Sequence, residues 1–178
     1  MTNGVLTTVA GEGGKGYSGD AGDARLAKLN SPKGVAVAVN GDVLIADTGN
    51  YRIRRIDAET NTISTVGGNG RSGVGGDGQT AIEASIGGID GITVDPPGNI
   101  FICSERGGFG NTNPDVVRRI SAETGIIDTI AGSWAQGFAG DGGPAIQAKL
   151  KDPEDVAVDS YGNLFIADTA NARIRKVD

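Results

Sequence analysis

The 178-residue sequence contains no histidine and a single cysteine, Cys103. Without histidine, Ser-His-Asp and Cys-His catalytic arrangements are excluded, as are zinc sites that use imidazole. One cysteine cannot form an intrachain disulfide, so it says nothing about the redox compartment. Cys103 lies beside Ile100, Phe101 and Ile102, which predicts a buried, inert thiol. Positive charge is in deficit: 16 Lys and Arg against 22 Asp and Glu leave a net charge of −6 and a pI near 4.6. That is the wrong sign for non-specific attraction to phosphate backbones, so no nucleic-acid partner is expected. No apolar run approaches the roughly 20 residues of a membrane span, so no membrane partner is expected either. Met1-Thr2-Asn3-Gly4 offers neither a basic start nor an apolar signal core. A soluble polypeptide is expected, with its compartment open, since a precursor could have carried an export signal.

What the chain has in quantity is glycine, 31 residues. The glycines cluster between short alternating apolar runs, as turns do in an all-β protein. The chain also repeats itself. Gly19-Asp20, Gly76-Asp77 and Gly140-Asp141 correspond, as do Asp47, Ser104 and Asp168. The offset is 57 residues from Asp47 to Ser104 and 64 from Ser104 to Asp168. The extra residues fall between Ser104 and Val116, in a Gly-, Asn- and Pro-rich stretch expected to form a surface loop.

Each unit has one internal order. A Gly-rich loop leads into an alanine-rich stretch (24–29 and 145–150) too short for more than a single helical turn. Pro32 and Pro153 then return the chain to extended geometry, with Gly88 in the second copy. Strand one is expected over 35–39, 92–95 and 156–159, and strand two over 43–46, 100–103 and 164–167. Strand three is expected over 52–56, 116–120 and 173–177, and strand four over 62–66 and 126–130. Asn40-Gly41, Gly98-Asn99 and Gly162-Asn163 supply the tight turns after strand one. Four antiparallel strands per unit, joined by a long connection, describe the blade of a β-propeller. The expected division is blade 1 over 12–66, blade 2 over 67–131 and blade 3 over 132–178, in a single 178-residue repeat domain.

Residues 153–177 read Pro-x-x-Val-Ala-Val-x-x-x-Gly-Asn-Leu-x-Ile-Ala-Asp-Thr-x-Asn-x-Arg-Ile-Arg-Lys-Val. Residues 32–56 follow the same pattern well and 88–120 loosely. This pattern resembles the NHL repeat, and the Gly-Asp-Gly-Gly-Pro-Ala loops are similar to those of the long NHL repeats of bacterial surface proteins and teneurins. The resemblance implies a six-bladed propeller. It leaves function open, because propellers host many activities. Natural relatives are often extracellular or at the cell surface.

The third unit has no strand four. Residues 4–11 (Gly-Val-Leu-Thr-Thr-Val-Ala-Gly) match the strand-four positions of the other units. Residues 1–11 are therefore expected to complete a third blade. Three wedge-shaped blades cover about half a ring, so the expected closure is between two chains, head to tail, as a homodimer. Its interface would pair Val5, Leu6, Thr7, Thr8 and Val9 with Arg173, Ile174, Arg175, Lys176 and Val177 of another copy. A rival is a monomeric piece of a longer propeller.

Candidate chemistry is sparse. Asp47-Thr48 and Asp168-Thr169 read as turn chemistry, in which Asp and Thr side chains fix nearby backbone amides. The strand-three arginines (Arg52, Arg54, Arg173, Arg175) read as a solvated or ion-paired face. The Gly-Asp-Gly-Gly loops lack phosphate-loop and EF-hand spacing, although calcium held by Asp20, Asp77 or Asp141 is a minor alternative. Asp95 and Asp159, at equivalent ends of strand one, are the best metal-like constellation present. The leading reading is a non-enzymatic propeller scaffold that self-assembles and offers a channel mouth and loops to a ligand or protein, with no resident cofactor. The alternatives are a calcium-dependent hydrolase or lactonase, which the family resemblance brings to mind, and a half-propeller with no ligand.

Overall fold

The computed structural model describes residues 4–105 and 114–178, with backbone only at Glu105. Most of the insertion expected as a surface loop therefore lies outside the described residues. The first sheet has the order β1 (Val35–Val37), β2 (Val43–Asp47), β3 (Arg52–Ile56), β4 (Ile63–Gly67). Three short strands follow in the second glycine-rich loop: β5 (Val74–Gly75), β6 (Gln79–Thr80) and β7 (Ser85–Ile86). The second sheet is built from β8 (Gly88–Val94), β9 (Ile100–Glu105), β10 (Val116–Ile120) and β11 (Ile126–Ala131), with β6 added beyond β11. The third sheet contains β12 (Pro153–Val158), β13 (Leu164–Asp168) and β14 (Arg173–Val177). All pairings within these three sheets are antiparallel.

The turns follow the local chemistry. Gly41, Gly98 and Gly162 each have a φ near +90°, at 90°, 96° and 87°, which a side chain would resist. The Asp-Thr-Gly-Asn and Asp-Thr-Ala-Asn segments form 3-10 turns, each closed by a residue in the left-handed region, Tyr51 or Ala172. The alanine-rich stretches form single 3-10 turns at Ala24–Leu26 and Ala145–Gln147. The first strand is shorter than the expected 35–39. The Ala38 amide donates to the Asp42 carbonyl and the Gly41 amide to the Ala38 carbonyl, so the hairpin turn already begins at Ala38.

The sheets stack face to face. Leu44, Ala46 and Ile53 of the first meet Ile89, Ile92, Ile102 and Ile127 of the second, with Ala81, Ala84 and Ile86 of the connecting loop between them. Phe101, Cys103 and Val117 of the second sheet meet Val156, Leu164 and Ile166 of the third, around Leu150 of the next loop. The outward face of the first sheet (Ile45, Ile56, Ile63) is covered by Ala24 and Ala27. The innermost strands converge, with β8 packed against both β1 and β12. Glycine is needed at that convergence. A Cβ on Gly34 would lie 2.9 Å from the Asp90 carbonyl oxygen, and one on Gly91 only 2.6 Å from Asp155 Cα. Asp155 occupies the same repeat position in the third sheet.

Candidate functional site

Strand three carries the charged centre of each blade. Arg54 and Arg118 are fully buried and Arg175 nearly so. Of the solvated and ion-paired readings, Arg54 and Arg175 follow the ion-paired one, while Arg173 stays exposed: the glycine-rich loop folds over strand three and supplies the counter-charge. Arg54 donates to Asp20 at 2.7 Å and to the Ser18 carbonyl at 3.1 Å, with Asp47 at 3.5 Å. Arg118 donates to Asp77 and to the carbonyls of Ser85 (3.0 Å) and Gly75 (3.2 Å). Arg175 pairs with Asp141 at 2.5 Å and with Asp168 at 3.2 Å. A buried guanidinium must be paired, and the repeat pairs it with a loop aspartate in each blade, leaving Nε of Arg54 buried without a hydrogen-bond partner. Asp20, Asp77 and Asp141 therefore hold arginine, which competes directly with any cation.

Tyr17 and Phe138 were not singled out from sequence, yet they complete two of these clasps. Arg52 and Arg54 lie 3.8 and 4.9 Å from the Tyr17 ring centre, and Arg173 and Arg175 lie 3.8 and 5.0 Å from that of Phe138. The signal was available, because the two aromatics stand at the same repeat position, where the second unit has Val74. Asp20 is further held by the Tyr17 and Thr65 hydroxyls, both at 2.8 Å. Partial burial alone would push the Asp20 carboxyl up. The hydrogen bonds from Tyr17, Thr65 and Arg54 outweigh it and hold the group below its ordinary value. Asp77 behaves alike: burial raises it, and Thr129 and Arg118 bring it below the usual range.

Asp47 and Asp168 act in the turns. Asp47 accepts from the Asn30 amide at 2.7 Å and from Asn50 Nδ2 at 2.7 Å. Asp168 accepts from the Lys151 amide at 2.8 Å and from Asn171 Nδ2 at 2.9 Å. In the second blade Ser104 substitutes, its hydroxyl donating to the Ile86 carbonyl at 2.8 Å.

The metal candidates Asp95 and Asp159 sit at the turn after strand one. Asp95 accepts from the Asn99 amide and from Asn99 Nδ2, both at 2.7 Å. Asp159 accepts from the amides of Tyr161 and Asn163, both at 2.9 Å, and from Asn163 Nδ2 at 2.7 Å. The Asn163 side-chain bond is the main cause that holds the Asp159 carboxyl below its usual range. Among the described residues no group of three or more His, Cys, Asp or Glu is gathered to hold a metal ion. Burial pushes the Cys103 thiol up to about 12, and its sulfur accepts from the Gly91 amide at 3.0 Å. It is a packing thiol at neutral pH.

The assembly candidates lie at the two open ends. Val5, Leu6 and Val9 are exposed and belong to no strand, and β14 has no neighbour on its outer side among the described residues. Along that outer side, Ala145, Ala148, Ile166 and Val177 line a groove whose rim carries Asp141 and Arg175.

A model of the NHL repeat matches residues 29–56 and 150–177. Teneurin-1 of Mus musculus is 33% identical over 111 residues, covering 56% of this chain. Teneurin-1 of Homo sapiens matches to the same extent. The chain spans only 4% of the length of these relatives. A Bacteroides thetaiotaomicron VPI-5482 structural genomics protein of unknown function superposes with a TM-score of 0.69 at 21% identity, over 85% of this chain and 37% of that one. An auxiliary nutrient binding protein from Bacteroides ovatus ATCC 8483 superposes with a TM-score of 0.54 at 17% identity, over 86% of this chain and 49% of that one. At such identities the likeness is one of fold. Among the described residues no helix is long and apolar enough to cross a membrane. Both matched segments contain strands one to three of a blade, so this chain carries NHL repeats folded as β-propeller blades.

Proposed function

We propose that this chain is a non-catalytic NHL scaffold that assembles with a second copy. Two sets of three blades join head to tail into a six-bladed ring, whose channel mouth and loops offer the surface for a ligand or protein. The observation that carries this reading is the complementarity of the two open ends. Ile53 is 0% exposed between the first and second blades, whereas its repeat counterpart Ile174 is 72% exposed. Ile92 is 5% exposed at the receiving side of that same junction, whereas its counterpart Val35 is 65% exposed. On this reading the chain carries at one end the donor half, and at the other the acceptor half, of a junction that it already buries internally. Each such junction covers several apolar side chains, worth about 1.5–3 kcal/mol apiece when fully buried. Two head-to-tail junctions related by a two-fold axis close a ring.

Charge supports the same pairing. Lys33 of the first blade pairs with Asp90 of the second across their junction. Glu154 holds the equivalent position in the third blade and is exposed. In the ring it would face Lys33 of the other copy.

Light scattering during gel filtration tests the assembly. The expected mass is about 36 kDa, twice the 18.0 kDa of one chain, and a chain lacking residues 1–10 is expected to run as a monomer. A mass of one chain for the intact protein would sink the ring. Calcium titration with thermal melting tests the scaffold against a metal-dependent enzyme. No shift is expected, because Asp95 and Asp159 are already held by turn amides.

A further inference from the structure

We propose that the groove beside β14 is a strand-binding site selective for an apolar residue followed two positions later by threonine. Its occupant is residues 5–10 of a second copy. The inference deepens the head-to-tail reading and rests on it. The first two blades show what fills the equivalent groove. In the first, Ile63 is buried against Ala24, Ala27, Ile45 and Ile56. Its amide donates to the Gly22 carbonyl and its carbonyl accepts from the Ala21 amide. Two residues on, the Thr65 hydroxyl donates to Asp20 at 2.8 Å. In the second blade Ile127 is likewise buried, its carbonyl accepts from the Gly78 amide, and Thr129 hydrogen-bonds Asp77.

The third blade has the same walls without the filling. Ala145, Ala148, Ile166 and Val177 stand where Ala24, Ala27, Ile45 and Ile56 stand in the first, and Asp141 is clamped by Arg175 where Arg54 clamps Asp20. Residues 5–11 carry the missing pattern. Leu6 takes the place of Ile63, Thr8 that of Thr65 and Gly11 that of Gly68. Both glycines are left-handed, with φ of 93° and 86°. Leu6 is 100% exposed where Ile63 is 0%. In the first blade Ile56 pairs with Ile63 and Arg54 with Thr65. The same register sets the second copy's Leu6 opposite Val177 and its Thr8 opposite Arg175, with the threonine hydroxyl donating to Asp141.

Leu6 and Thr8 are exposed, so substitutions there leave the fold intact. The full-length Leu6→Asp chain is expected to dimerise about a hundredfold more weakly than wild type, because a carboxylate would replace a buried leucine. Its own groove stays open. That chain therefore serves as receptor for a fluorescent peptide of residues 4–11, read by anisotropy. The peptide is expected to bind, its Thr8→Val form about tenfold more weakly, and an Asp141→Ala receptor is expected to abolish that difference. Dimerisation of Leu6→Asp as tight as wild type would overturn the proposed register while leaving the ring reading standing. If wild type is a monomer, the ring reading falls. The groove proposal, whose occupant is a second copy, then falls with it; where wild type is a dimer, absence of peptide binding or of the threonine preference overturns the groove proposal alone.

Discussion

Asp77 is the residue whose loss should harm this fold most among the three loop aspartates. Arg54 has two carboxylates, Asp20 and the fully buried Asp47, and Arg175 likewise has Asp141 and Asp168. In the second blade Ser104 stands where those blades have Asp47 and Asp168, so Asp77 is the carboxylate that Arg118 holds among the described residues. Removing one partner of a buried pair costs about 3–5 kcal/mol when the remaining charge is stranded. Asp77 is half-exposed, so water reaches its place, and Arg118 keeps the carbonyls of Ser85 and Gly75. The Asp77→Asn change should then cost about 2 kcal/mol, in the range of one hydrogen bond to a charged group. Asp20→Asn leaves Asp47 with Arg54 and should cost about 1 kcal/mol, and Asp141→Asn less than that. For a domain of this size 2 kcal/mol lowers Tm by about 4–8 °C. Thermal and urea unfolding at one fixed protein concentration measure the series, since the proposed dimerisation would make stability concentration-dependent. Equal losses in all three variants, or a larger loss for Asp20→Asn, would refute the reasoning.

The remaining predictions concern acid, the closing junction and the thiol. Asp20 and Asp77 both titrate below the ordinary 3.8 in the folded chain. A depressed carboxyl contributes stability that is fully present above its unfolded value and is lost as pH falls through its folded value. Urea stability should therefore hold level down to about pH 4 as far as these two groups are concerned and drop below it, with a smaller drop in Asp77→Asn. Asp155→Gly should tighten the dimer about tenfold, because relieving overpacking is worth about 1–3 kcal/mol and the other two blades require glycine at this position. An unchanged dissociation constant in sedimentation would show that the closing junction is spaced unlike the internal ones. Cys103, buried and pushed up to about 12, should resist Ellman's reagent in the folded state and react stoichiometrically in guanidinium. Prompt labelling of the native chain would contradict the packing described around it.

The blade was legible because its signals are local. β3 and β14 begin and end where the mix of basic and apolar residues places them, and β10 where the repeat does. The turns at Gly41, Gly98 and Gly162 follow from side-chain chemistry. What was not legible was what covers strand three. Alternation tells which residues share a face, not whether a loop lies over that face. Asp20 and Arg54 are 34 residues apart, and each reads as ordinary on its own. Their joint recurrence, as Asp77 with Arg118 and Asp141 with Arg175, carried the pairing. Tyr17 and Phe138 were hidden for the same reason, since an aromatic in a glycine-rich loop acquires meaning only from the two guanidiniums stacked over it.

Repetition has a consequence at the ends of such a chain. Blades that bury the same positions internally expose them at both ends among the described residues, so each end offers apolar surface to the proposed partner. Apolar burial alone does not choose between head-to-tail and tail-to-tail pairing. Charge at the convergence of the inner strands does. The tail end carries Glu154 and Asp155 side by side, both exposed, whereas the head end carries Lys33. Tail-to-tail contact would bring four carboxylates together around a low-dielectric seam, which like-charge repulsion opposes by several kcal/mol at close range. In the proposed head-to-tail contact each acidic tail would stand beside Lys33, which already pairs with Asp90 of its own chain, and each exposed Leu6 would lie over the groove beside β14. The charged inner rim and the groove beside β14 would thus favour the same orientation of the proposed dimer from opposite edges of the blade.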